Sequence, residues 1–169
     1  MSASLQTARL QLTPLAVEDA EDLLAVYVDE RMYEFTGGSV PTLDRLRDRL
    51  RRQTEATPEG TDWLNWVVRH DGVTIGVVQA TVKGSGAVAE VAWEIGVPWQ
   101  GHGYASEAAG AVVDWLTAEG VPAIRAHIHP DHTASARVAR AAGLEPTDEW
   151  IGGEVMWAMP GSSPGQAKQ

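Results

Sequence analysis

Glu90 and Glu94 are the residues whose type and spacing best suit acid–base chemistry. Apolar and polar positions alternate through 88–97, so Glu90, Ala92, Glu94 and Gly96 share one face of a strand, and Val91, Trp93, Ile95 and Val97 share the other. A carboxylate on such a face can take a proton from a reacting group, directly or through water, if burial raises its basicity. The plain alternative is that both glutamates face water on a half-exposed strand. Directly downstream, Trp99-Gln100-Gly101-His102-Gly103-Tyr104-Ala105-Ser106 leads from strand pattern into helix pattern. Glycines at 101 and 103 let backbone amides converge without side-chain obstruction, and the following helix start adds partial positive charge, which together make an anion cradle.

Taken on glycine count alone, a plain strand-to-helix turn is the better account of that stretch. A dinucleotide fingerprint needs a third glycine where Ser106 stands, and more strand–helix units than the remaining chain can supply. A triphosphate-binding P-loop needs lysine and then serine or threonine after its last glycine, but Tyr104 and Ala105 follow Gly103. The run His127-Ile128-His129-Pro130-Asp131-His132 raises the question of a metal, since His127 and His129 share a strand face. No established ligand spacing is matched, so no metal is expected.

The elements that must position these groups follow from periodicity. Arg9 to Leu15 alternates and stops near a proline, as a strand does. Residues 17–28 repeat apolar side chains at Ala20, Leu23, Leu24 and Tyr27, with acids in the first turn, which predicts a helix. Thr42 caps a second helix whose stripe is Leu43, Leu46 and Leu50. The β-rich runs 63–69 and 74–81 flank the turn signal Asp71-Gly72 and form an antiparallel hairpin. A strand over 87–97, a helix over 106–117, a strand over 124–128, a helix over 133–142 closed by Gly143, and a final hairpin around Gly152-Gly153 complete the order. Such an order makes a mixed sheet with helices on both faces, parallel only between 88 and 128. The glycine loop falls at a carboxyl end of that parallel pair, where ligands bind in such sheets.

Whole-chain properties narrow the class. The 169 residues suit one domain, and 44% hydrophobic with 21% charged residues is ordinary for a globular protein. Thirteen basic against twenty-three acidic side chains give a net charge of −10, which disfavours nucleic acid and anionic membrane surfaces as partners. With no cysteine there is no disulfide, thiolate metal site or cysteine nucleophile. The amino-terminal residues lack a signal-peptide pattern, and no stretch approaches about 20 consecutive apolar residues. A cytoplasmic protein is expected, folded over 1–160 and carrying a disordered tail over 161–169. Oligomeric state is not fixed by the sequence, which is compatible with a homodimer.

Gln100-Gly101-His102-Gly103-Tyr104-Ala105 resembles the acyl-coenzyme A pyrophosphate loop of the GCN5-related N-acetyltransferases, written Q/R-x-x-G-x-G/A. Thr7-Ala8-Arg9-Leu10, Glu90-Val91-Ala92-Trp93-Glu94-Ile95, Gly103-Tyr104-Ala105-Ser106-Glu107-Ala108, Ala134-Ser135-Ala136-Arg137-Val138 and Ala142-Gly143-Leu144 resemble the branch of ribosomal-protein amino-terminal acetyltransferases. The match runs in order from about residue 7 to 159. It implies one α/β (α+β) domain, with a mixed, mostly antiparallel sheet of about six to seven strands flanked by about four helices.

The resemblance also implies transfer of acetyl from acetyl-coenzyme A to a primary amine, on a small molecule or a peptide amino terminus, by direct attack in a ternary complex. It assigns the pyrophosphate to the loop of Gln100, Gly101, His102, Gly103, Tyr104, Ala105 and Ser106, and the pantetheine arm to backbone near Ile95, Gly96 and Val97. Glu90 lies closest to the family's base position, with Glu94 the second candidate. Ser135 corresponds to a serine near the coenzyme sulfur and equally suits a plain helix cap. Three positions depart from the family pattern. His102 replaces a usual lysine or arginine, His132 an asparagine that contacts the coenzyme, and Ala139 the tyrosine that protonates the leaving thiolate. These departures keep open a noncatalytic acyl-coenzyme A-binding regulatory module. Acceptor choice is expected to depend on 30–61 and on the final hairpin with Trp150 and Trp157.

Overall fold

The computed structural model describes residues 3–55 and 57–161. An eight-stranded sheet runs in the order β1 (Leu5–Gln6), β2 (Leu10–Pro14), β3 (Thr61–His70), β4 (Val73–Lys83), β5 (Val88–Ile95), β6 (Ile124–Ile128), β8 (Glu154–Ala158), β7 (Glu145–Ile151). Every neighbouring pair is antiparallel except β5 and β6, as the order of elements requires. Helices α1 (Ala20–Tyr27) and α2 (Leu43–Glu55) cover one face, and α3 (Tyr104–Ala118) and α4 (Thr133–Ala141) the other.

Period two decides which side chains reach which layer. Leu10, Leu12, Trp66, Val68, Val78, Val91, Ile95, Ile124, Ala126 and Ile128 pack with Ala109, Val112, Val113 and Leu116 of α3 and Val138 and Ala139 of α4. On the opposite face Val67 and Val77 pack under Leu23, Val26 and Tyr27 of α1 and Leu46 and Leu50 of α2. Of the stripes expected on α1 and α2, Ala20, Leu23, Tyr27, Leu46 and Leu50 are buried and Leu24 and Leu43 partly so, while Val26 is buried in addition.

The strand count exceeds the expected six to seven through the two-residue β1 alone, too short to show any periodicity. Helix α3 starts at Tyr104 rather than Ser106, and β5 ends at Ile95, after which Val97–Trp99 forms a 3-10 turn. No helix among the described residues is long and apolar enough to cross a membrane. The tail expected over 161–169 lies, from residue 162 onward, outside the described residues.

Candidate active site

A cleft opens where the two parallel strands part. Strands β5 and β6 pair only at Ala89 with Ile124 and Glu90 with Arg125. Beyond that point β5 stays with β4 as far as Ile95 opposite Gly76, while β6 stays with β8 as far as Ile128 opposite Val155. The Gly96 amide donates to the Ile75 carbonyl at 2.9 Å, and the Ala89 amide to the Ala123 carbonyl at 2.8 Å. Alternation between these two fixed points turns the backbone groups of Trp93 and Ile95 toward the cleft. Gln100 Nε2 donates to the Ile95 carbonyl at 2.8 Å, leaving the Ile95 amide and both polar groups of Trp93 for an extended partner. Gln100 thus braces the strand end rather than presenting its amide to the loop.

The glycine loop closes the wide end of the cleft. Gly101 has φ +79° and Gly103 φ +80°, left-handed conformations that glycine alone adopts without strain. Gly103 caps α3 without any side-chain hydrogen bond, so the amides of Tyr104, Ala105 and Ser106 at the start of a 15-residue helix are free to meet an anion. The acid in that first turn, Glu107, is drawn away from the loop. It takes hydrogen bonds from Thr7 Oγ1 at 2.5 Å, the Arg9 amide at 2.9 Å and Arg9 Nε at 2.7 Å. Partial burial works against the Glu107 carboxylate, but these donors outweigh it and hold its pKa below the usual value. Arg9 also donates from Nη1 to the His102 carbonyl at 3.0 Å and lies 4.7 Å from the Tyr104 ring centroid.

Arg9 therefore ties β2 to the loop. The motif around it was legible, but its contact with Glu107, 98 residues away, was not. Replacing Arg9 by Met should raise KM for acetyl-coenzyme A about tenfold, the equivalent of ~1.4 kcal/mol, with kcat nearly unchanged. A variant with unaltered KM in steady-state assays would show that the loop keeps its shape without Arg9.

The two carboxylates prove to occupy different settings. Four residues of strand place Glu90 and Glu94 about 13 Å apart. Glu90 sits at the closed, paired end of the cleft, ion-paired with Lys83 Nζ at 2.8 Å near the surface. Glu94 sits at the open end, and its Oε2 accepts a 2.5 Å hydrogen bond from the hydroxyl of Tyr27. Tyr27 is 2% exposed. Burial first, and then the neighbouring Glu94 charge, push the phenol pKa well above its ordinary value, against an opposing pull from Arg49. The phenol therefore stays protonated and orients one carboxylate oxygen, leaving the other free. Tyr33 donates from its hydroxyl to the Tyr27 carbonyl at 2.9 Å, and the Arg49 guanidinium lies 4.5 Å from the Tyr27 ring centroid.

The facing wall is the start of α4. His132 is its N-cap, with Nδ1 accepting from the Ser135 amide at 3.4 Å, a role that asparagine serves equally well. This contact requires the neutral ring with its proton on Nε2. Burial, aided by His129 and opposed by Glu34, lowers the His132 pKa and so favours that form. Below the ordinary histidine value of 6.5 the unfolded chain binds more protons at this site, so the cap's contribution to stability should fall as pH drops below that value, as thermal melts at stepped pH will show. Phe35 stacks on the His132 ring at 4.3 Å.

Ser135 is half-buried in the first turn of α4, and its hydroxyl has no hydrogen-bond partner among the described residues. Ala139 is fully buried against the sheet, so a tyrosine at that position has no room in this packing. Trp157 belongs to the core, whereas Trp150 is exposed at the end of the β7–β8 hairpin. His129 accepts from the Asp131 amide at 3.2 Å, and no group of three metal ligands occurs among the described residues.

A mixed sheet split after one parallel pair, with a glycine loop and helix start at the split, has close counterparts. The acetyltransferase (GNAT) domain matches residues 9–145. No curated protein sequence matches this chain. Among solved structures, the GNAT-family acetyltransferase from Bacillus anthracis superposes with TM-score 0.77 at 21% identity, covering 93% of this chain and 98% of that one. RimL, a ribosomal L7/L12 alpha-N-protein acetyltransferase in complex with coenzyme A, gives TM-score 0.80 at 14% identity, covering 92% and 97%. AAC(6')-Ib with paromomycin and acetyl-coenzyme A gives 0.73 at 19%, covering 89% and 93%. The split sheet and the amide-lined loop are thus those of an acetyltransferase that uses acetyl-coenzyme A as cosubstrate, and this chain belongs to the GNAT family.

Proposed function

We propose that the chain acetylates a primary amine, on a small molecule or a peptide amino terminus, by direct attack within a ternary complex. The observation that carries this reading is Glu94, held by Tyr27 at the open mouth of the cleft beside backbone groups of β5 that face it. The pyrophosphate rests on the amides of the 101–106 loop, and the pantetheine arm lies along Trp93 to Val97. Glu94 takes the proton of the incoming ammonium, directly or through one water. The free amine attacks the acetyl carbon, and the Ile95 amide stabilises the oxyanion. As the new carbon–nitrogen bond forms and the carbon–sulfur bond breaks, the thiolate leaves, and the half-buried Ser135 hydroxyl in the first turn of α4 donates a hydrogen bond to it. The nitrogen's second proton passes through solvent to the thiolate as the thiol forms, and Glu94 returns its own proton to solvent, which restores the carboxylate.

The test is thiol release from acetyl-coenzyme A across small amines and amino-terminal peptides, alongside the melting temperature with coenzyme A. Thiol release with some amine, together with a raised melting temperature, supports the reading. A raised melting temperature with no thiol release from any acceptor replaces it with a noncatalytic acyl-coenzyme A-binding module.

A further inference from the structure

Among the described residues three arginines of helix α2, Arg45, Arg49 and Arg52, have no carboxylate partner, and of these Arg49 alone is half-buried rather than exposed. Arg47 pairs with Glu21 and Asp44, and Arg51 with Asp48, so these face water as ordinary surface ion pairs. Arg49 lies between them on the inner flank, half-buried over the Tyr27 ring. No carboxylate among the described residues lies within 4 Å of it, and its Nε is buried with no acceptor. A partly desolvated guanidinium without an acceptor is costly, even allowing for its contact with the ring face. The same ring holds Glu94 through its hydroxyl, so a cation on the face and an anion at the tip of Tyr27 flank one site.

From this juxtaposition we infer that the acceptor is a small amino-acid-like molecule, whose amine meets Glu94 while its carboxylate is held by Arg49. The inference rests on the acetyl-transfer reading above and narrows its substrate. A polycationic acceptor meets repulsion at Arg49, and a simple amine brings no anion to meet its charge. An extended peptide is disfavoured by the segment between α1 and α2. Phe35 in that segment reaches the start of α4, stacking on His132 and lying 5.5 Å from the His129 ring, so the segment bridges the two walls of the cleft.

The experiment compares kcat/KM for thiol release using free L-amino acids, their carboxamides, a polyamine and amino-terminal peptides, in the wild type, Arg49→Gln and Arg49→Lys. The acid-to-amide ratio is the readout, because general damage to the fold lowers both rates together. The wild type should prefer acids over amides by about 10- to 100-fold, the worth of one charge-assisted contact. Arg49→Gln should bring the ratio near one, whatever it does to the two rates in common, and Arg49→Lys should restore part of it. Equal or better use of amides, polyamine or peptides by the wild type overturns the inference, and so does an Arg49→Gln variant that lowers acid and amide alike. The wild-type ratio decides even if the variants fail to fold. Absence of thiol release from every acceptor is a different result, which removes the acetyl-transfer reading and this inference with it.

Discussion

Replacing Glu94 by Gln should lower kcat/KM for acetyl transfer by about 10²- to 10⁴-fold, the range for losing a positioned general base. Gln is nearly isosteric and its amide oxygen can still accept from the Tyr27 hydroxyl, so the change removes basicity while keeping the 2.5 Å contact available. In the proposed reading coenzyme A is held by the loop beyond Trp99 and the backbone of β5, neither of which the substitution alters. The shift in melting temperature with coenzyme A should therefore match the wild type. Glu90→Gln is the internal control: its carboxylate is engaged by Lys83 at the paired end of β5, about 13 Å away, and its rate should stay within about threefold. Tyr27→Phe should fall between the two, since the carboxylate remains but loses its orienting donor. If Glu90→Gln lost the rate and Glu94→Gln kept it, the base would lie at the closed end and the mechanism drawn here would be wrong.

Why the sequence left Glu90 and Glu94 unresolved is instructive. Period two places both on one face, and nothing local distinguishes them. The distinction comes from where β6 stops following β5, which depends on β6 taking β8 as its other neighbour. It comes also from Tyr27, whose place in the apolar stripe of α1 gave no sign that its hydroxyl reaches a residue 67 positions away. Arg9 stood in a recognisable motif with no sign of its partner 98 residues away, and nothing local set Arg49 apart from the other arginines of α2. Elements whose signal is local were legible: the 124–128 strand, the Asp71-Gly72 hairpin and the Gly103 turn. Gly101 and Gly103 marked a turn from composition, and the left-handed backbone there is what demands them. Family resemblance supplied the candidate residues, and geometry then arranged them in space.

Gly76→Ala should be the most damaging single methyl in the site, although Gly76 lies in ordinary strand conformation outside the cleft. A Cβ built there stands 2.1 Å from the Glu94 carbonyl oxygen, 2.8 Å from Ile95 Cδ1 and 3.0 Å from Ile95 Cα. Two of these three atoms are backbone, so no rotamer change relieves the contact. The close approach follows from the irregularity in the β3–β4 ladder, where Val68 pairs with Gly76 but Arg69 pairs with Thr74. Overpacking of this kind costs about 1–3 kcal/mol or more, and in a chain of this size each kcal/mol lowers the melting temperature by roughly 2–4 °C. The strand that must give way is β5 at Glu94 and Ile95, the proposed base and oxyanion donor. Folded Gly76→Ala should therefore lose kcat beyond what its population of unfolded chain explains, while its affinity for coenzyme A at the loop persists. Gly110→Ala supplies the contrast. Its Cβ meets nothing within 4 Å on α3, so the same methyl should raise stability by about 0.4–1 kcal/mol through helix propensity and leave kcat unchanged. Equal melting temperatures and equal kcat for the two variants would mean that the β4–β5 contact does not set the position of Glu94.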